Sequence, residues 1–130
     1  MKEIEGQLWI ENIPVINLAR EYGSPIFIYS AEQIKSNFGK YQNEVGSNDL
    51  ICYAVKANSN LHILKLLSEL GSGFDVVSGN ELKRCLTAGA DKNKIVFSGV
   101  AKSNEEIKLA IENDIPVSYT HLTLPTMLPV

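Results

Sequence analysis

Two hydrophobic rhythms alternate along residues 1–116: stripes at helical spacing and short unbroken apolar runs. The first stripe is Val15, Leu18, Ala19 and Tyr22, at i, i+3, i+4 and i+7. Pro14 stands where a first helical turn tolerates proline, Asn12 is a candidate cap, and Gly23 closes the helix. Pro25–Tyr29 is an apolar run of strand length. Ser30-Ala-Glu-Gln33 then spells a capping box, with Ile34, Phe38, Tyr41 and Val45 as the stripe behind it.

A repeat begins at Leu50. Leu50–Val55 predicts a strand, and Asn60 caps a helix whose stripe is Ile63, Leu66, Leu67 and Leu70, ended by Gly71. Phe74–Val77 is the second strand. Ser78-Gly-Asn-Glu81 is a second capping box, opening a helix with Leu82, Cys85 and Leu86 inward and Gly89 at its end. Ile95–Phe97 is the third strand, and Ser103-Asn-Glu-Glu106 caps the helix carrying Ile107, Ala110 and Ile111. Strands apolar on both faces, separated by amphipathic helices, predict an α/β fold with a parallel sheet covered by helices. The unit recurs about every twenty residues, which fits a (β/α) barrel or a doubly wound sheet. A closed barrel takes roughly 250 residues, so this chain accounts for only part of one.

Composition narrows the partners. Lys and Arg number 12 against 15 Asp and Glu, a formal net charge of −3. Mild acidity argues against nucleic acid, whose phosphates call for clustered cations. No apolar run approaches the ~20 residues of a membrane span, and no signal peptide opens the chain. The 2 cysteines, Cys52 and Cys85, are too few for a disulfide scaffold and sit in apolar patterns. A reduced, cytoplasmic protein is expected, with no metal site.

The pattern breaks at Val117. Residues 117–130 carry no Lys, Arg, Asp or Glu, and Pro125 and Pro129 interrupt any helix or central strand. Val117 to Thr126 resembles the conceptual translation of a transposon-end sequencing adapter. The organisation read from the chain is therefore an N-terminal strand and helix segment at 1–47, the first βα units at 48–116, and a foreign tail at 117–130 that replaces the strand expected after Ile115. His121, in that tail, is set aside with it.

Chemistry concentrates in two segments. Tyr53-Ala-Val-Lys-Ala-Asn-Ser-Asn60 places Lys56 just after an apolar strand. The carboxyl ends of barrel strands face the active site, where partial desolvation frees a lysine amine for Schiff-base chemistry; a strand-end lysine is otherwise an ordinary solvated residue. Gly73-Phe-Asp-Val-Val-Ser-Gly-Asn-Glu81 puts Asp75 inside an apolar strand. A carboxylate there needs a cation or hydrogen-bond donors unless it turns to water, and Lys56 on the adjacent strand is a candidate. Ser78 and Glu81 are already explained as a cap, and His62 reads as a surface residue.

Taken in order, Tyr53-Ala-Val-Lys-Ala-Asn58, Gly73-Phe-Asp-Val-Val-Ser-Gly-Asn-Glu81 and Lys94-Ile-Val-Phe-Ser-Gly-Val100 resemble the fold-type III pyridoxal-phosphate decarboxylases. Within them the diaminopimelate decarboxylases are most similar, and Leu18–Pro25 followed by Ile26–Tyr29 agrees with their N-terminal region. The Ala-Tyr-Gly-His-Gly run of alanine racemases is absent after Lys56. Ornithine and arginine decarboxylases lack this motif combination; carboxynorspermidine decarboxylases are nearer competitors. A noncatalytic pyridoxal-phosphate-binding barrel and an α/β domain without cofactor are the readings from other classes.

The resemblance implies a partial, truncated (β/α)8 barrel of the alanine-racemase-like type, with an N-terminal segment that joins a C-terminal β domain. It implies pyridoxal 5′-phosphate as cofactor, carried covalently on Lys56, the catalytic lysine, with Asp75 close to the lysine and cofactor. It implies an amino-acid substrate, meso-2,6-diaminopimelate, converted to L-lysine and CO2 by a homodimeric parent. The ring-stacking histidine, the glycine-rich phosphate site, the acidic partner of the pyridine nitrogen and the interfacial cysteine and tyrosine of that family match nothing here. This chain alone is expected to be inactive and poorly soluble.

Overall fold

The structure, a computed structural model, describes residues 1–117. The foreign-tail reading, apart from Val117, falls outside the described residues. Two compact units form, Met1–Asn43 and, within the described residues, 44–117.

The first unit opens with an antiparallel meander of β1 (Lys2–Ile4), β2 (Gln7–Ile10) and β3 (Ile13–Pro14). Ile4 pairs with Gln7, leaving Glu5–Gly6 as a two-residue turn with φ 51° and 73°. Positive φ at both central residues matches the twist of a tight hairpin. Helix α1 (Val15–Tyr22) begins directly after Pro14, whose own φ and ψ are −62° and 128°. Asn12 is therefore not its cap; it belongs to the turn between β2 and β3, and no side chain caps this helix. Gly23 closes α1 as expected.

Pro25–Tyr29 is not a strand. It runs without a ladder partner among the described residues, and Phe27 is 93% exposed. Apolar content alone does not make a strand when no edge accepts its backbone groups. Helix α2 (Ala31–Glu44) buries Phe38 and half-buries Ile34, while Tyr41 and Val45 face outward. Its N-terminus is held by two acceptors. Ser30 Oγ accepts from Gln33 N at 3.0 Å and donates to Glu11 Oε1 at 2.8 Å, and the same Glu11 oxygen accepts from Glu32 N at 2.9 Å. Gln33 turns its amide to Asn37, 2.9 Å away, so the reciprocal half of the first capping box does not form.

The second unit is a parallel sheet in sequential order, β4 (Cys52–Ala54), β5 (Gly73–Val76) and β6 (Ile95–Phe97). Helices α3 (Leu61–Glu69), α4 (Gly79–Thr87) and α5 (Asn104–Glu112) alternate with the strands. Phe74, Val76, Ile95 and Phe97 are fully buried, as are Val55, Leu64, Leu82, Cys85 and Ala110. These side chains form the layer between sheet and helices. Burial of each large aliphatic or aromatic one contributes about 1.5–3 kcal/mol.

The strands are shorter than the apolar runs. Val55 leaves β4 and enters a single 3-10 turn, Val55–Ala57, while Leu50 is exposed. On α3 the inward residues are Leu64 and Leu67, with Ile63, Leu66 and Leu70 on the flank. On α5 Ala110 is buried but Ile111 is 63% exposed, and Ile115 fills the core instead.

The three helices of this unit end on the same device. Ser72 N reaches Leu67 O, Ala90 N reaches Cys85 O and Ile115 N reaches Ala110 O, at 2.9–3.0 Å. The turning residues Gly71, Gly89 and Asp114 have φ of 88°, 83° and 57°. The 6→1 hydrogen bond with a left-handed residue satisfies terminal carbonyls and returns the chain toward the sheet. After the third such turn Phe97 N donates to Pro116 O at 3.1 Å, and Val117 bridges Phe97 in parallel. The strand position expected after Ile115 is therefore paired with β6 at Val117, through main-chain groups.

Candidate functional site

The carboxyl ends of β4, β5 and β6 gather the informative residues. Lys56 lies in the 3-10 turn that follows β4, with its side chain exposed. The partial desolvation expected for its amine is not provided by the described residues. Asp75 pairs in register with Ala54 on one side and Val96 on the other, at the centre of the sheet. Its carboxylate is half-buried and accepts a hydrogen bond from the hydroxyl of Ser98, one residue beyond β6.

Lys56 and Asp75 form no ion pair among the described residues. The Ser98 hydroxyl, rather than the candidate Lys56, meets the demand of a half-buried carboxylate for a donor. Alternation along β6 puts Val96 and Ser98 on the face that carries Asp75. Cys52 shares that face two residues before Ala54; burial, and next the Asp75 carboxylate, push its thiol up from the ordinary value.

The link from Lys56 to α3 is heavily tied. Tyr53 Oη donates to Asn58 O at 3.2 Å, Arg84 Nε donates to Ser59 O at 2.7 Å, and Asn58 Oδ1 accepts from Asn60 N at 3.0 Å. Asn60 in turn caps α3 by accepting from His62 N at 2.9 Å. His62 itself is exposed, in keeping with a surface residue.

The other two loops are joined by carboxylates. Ser78 accepts from Glu81 N at 3.3 Å, but Glu81 Oε2 takes Val77 N at 2.8 Å rather than the cap's own amide. Ser103 and Glu106 form the full reciprocal box, and the second Glu106 oxygen takes Gly79 N at 2.7 Å. Hydrogen bonds from Gly79 N, then Ser103 N, hold the Glu106 carboxyl below its ordinary value, against a smaller upward effect of desolvation. Cys85 is free and wholly buried; burial pushes its thiol up to about 12, assisted by the Glu81 carboxylate, so it supplies no thiolate nucleophile. No group of three or more His, Cys, Asp or Glu that could hold a metal occurs among the described residues, and none of their helices is long and apolar enough to cross a membrane.

The site thus sets an amine at a strand end, a carboxylate on the adjoining strand and a hydroxyl just beyond the next. The profile of the family described as "Pyridoxal-dependent decarboxylase, pyridoxal binding domain" matches residues 31–124. This chain belongs to that family. The diaminopimelate decarboxylase of Vibrio cholerae is 50% identical over 109 residues, covering 83% of this chain and 26% of the relative. The crystal structure of diaminopimelate decarboxylase from Methanocaldococcus jannaschii in co-complex with L-lysine superposes with a TM-score of 0.78 at 40% identity, covering 85% of this chain and 27% of that one. Lysine decarboxylase from Selenomonas ruminantium follows at 0.71 and 27% identity, over 79% of this chain and 28% of that one. The chain thus spans about a quarter of the length of the relatives it matches.

As a member of a pyridoxal-dependent family, the chain has pyridoxal 5′-phosphate as its cofactor. The residues present fit that group: an exposed primary amine is what an aldehyde requires, and the Asp75 carboxylate, held by Ser98, stands on the adjoining strand level with Ala54. Motif reading singled out Lys56 and Asp75 but missed Ser98, Tyr53 and Arg84. For Ser98 a signal exists: it stands at i+2 from Val96, the residue level with Asp75. For Arg84 none exists, because its partner is a backbone carbonyl.

Proposed function

We propose that this chain is the first part of a longer carboxy-lyase that converts meso-2,6-diaminopimelate to L-lysine and CO2. The observation that carries this reading is Lys56, presented on an ordered turn at the carboxyl end of β4 in a chain half identical to a diaminopimelate decarboxylase. Lys56 Nζ would hold the cofactor through its primary amine. Asp75 would give electrostatic support to the held group and is itself oriented by the Ser98 hydroxyl. When bound, pyridoxal phosphate supplies the electron sink for the pair left behind as CO2 departs. Identities of 31–50% to diaminopimelate decarboxylases, against 26–27% to a lysine decarboxylase, support diaminopimelate over a simple diamine precursor.

The same reading places the longer protein in the cytoplasm as a homodimer and has its N-terminal segment join a C-terminal β domain. It also treats the charge-free residues after Pro116 as foreign, a point that resequencing the source gene decides. CO2 release from labelled meso-diaminopimelate by the longer protein, and its loss by at least three orders of magnitude in Lys56→Ala, are the expected results. Turnover of L-lysine or L-ornithine in preference to diaminopimelate would assign another substrate, and undiminished activity of the variant would remove Lys56 from the chemistry.

A further inference from the structure

We infer that Arg84 is a positioning residue for Lys56: from α4, it fixes the turn on which the reactive amine is carried. This rests on the assignment of Lys56 as the attachment point. Lys56 is separated from α3 by only Ala57, Asn58, Ser59 and Asn60, and those residues would ordinarily be a solvated loop. Here they are tied at successive carbonyls to two different elements. Tyr53, on β4, donates its hydroxyl to Asn58 O at 3.2 Å, and Arg84, on α4, donates Nε to Ser59 O at 2.7 Å. Asn58 and Asn60 add local turns that hold the link to the start of α3.

The Arg84 bond joins residues 25 apart in sequence. Val55 anchors the turn itself in the core, and the Arg84 bond adds a tie from α4 to the link that follows Lys56. The core of α4 does not need it, because Leu82 and Cys85 are buried on the opposite side while Arg84 is exposed. A surface arginine spent on one backbone carbonyl next to the reactive lysine is economically explained by the geometry it imposes. Reactions of a positioned amine lose rate steeply when the amine samples other positions.

The test uses the longer protein with Arg84→Ala and Arg84→Lys, the lysine being able to return a donor to Ser59 O. Amide hydrogen exchange across residues 55–60 and the rate at which added pyridoxal 5′-phosphate develops its protein-bound absorbance are measured, with the urea midpoint as a control. Loss of one charged hydrogen bond is expected to raise exchange in that segment about tenfold. Attachment should slow by a comparable factor while exchange in β5 and β6 stays unchanged, and Arg84→Lys should recover part of both. Unchanged exchange across 55–60 in Arg84→Ala would overturn the inference, as would exchange that rises everywhere and is not rescued by lysine. If wild-type protein binds the cofactor without using Lys56, the assignment of the lysine fails, while the exchange data still report on the brace.

Discussion

Glu106 Oε1 accepts the backbone N–H of Gly79 at 2.7 Å, so the first turn of α5 is bonded to the first turn of α4 through one carboxylate. The second oxygen serves Ser103 N at 3.0 Å. A neutral amide at this position can accept with only one of its two arms. Glu106→Gln is expected to lower stability by about 1 kcal/mol, the net worth of a hydrogen bond to a charged group that remains partly solvated. The sign of the pH effect follows from the lowered carboxyl. Its stabilisation is present in full above the ordinary value of 4.5 and is lost as pH falls through the lower folded value. Urea unfolding between pH 3 and 7 checks both points: the gap between wild type and variant should close at the acid end.

Gly99 lies where the loop after β6 passes the end of β5. A Cβ there would stand 2.4 Å from Val77 O and 2.9 Å from Val77 C, a clash with backbone that no rotamer relieves. Gly99→Ala is expected to cost at least about 1–3 kcal/mol, in the range of overpacked interiors. Gly39→Ala, with nothing within 4 Å of the added methyl, is the control and should be neutral or slightly stabilising within its helix. Thermal unfolding of the two variants side by side separates close approach from loss of glycine as such.

Asp75→Asn keeps the shape that Ser98 recognises and removes the charge. If the charge supports the cofactor, affinity for pyridoxal phosphate falls about tenfold, as expected for one charge-assisted interaction. Ser98→Ala leaves the charge but frees its orientation, and its effect should be smaller and in the same direction. Fluorescence titration with the cofactor measures both. Equal affinity in wild type and Asp75→Asn would reduce Asp75 to a structural carboxylate.

Much of the second unit was legible because its signals are local. Asn60, Ser78 and Ser103 each cap the helix they precede, and Gly71 and Gly89 turn the chain where the stripes end. What was illegible depended on tertiary partners. The apolar run Pro25–Tyr29 looks like a strand, yet whether it is one depends on an edge that the sequence does not name. The meander at the N-terminus carries little sequence signal because Glu5 and Glu11 are unusual residues for positive φ. The face of α3 was rotated from Ile63 and Leu66 to Leu64 because several apolar residues competed for one stripe. At the site, Lys56 and Asp75 are visible as residue types out of place. Arg84 and Ser98 are ordinary surface-type residues whose importance lies only in what they touch.

The central claim is that the amine of Lys56 carries the cofactor. Incubation of the longer protein with pyridoxal 5′-phosphate, reduction with borohydride and peptide mapping tests it directly. A single pyridoxyl group on the peptide containing Lys56, absent in Lys56→Arg, is the result expected. Label scattered over several lysines, or a single label elsewhere that survives the substitution, would contradict the account.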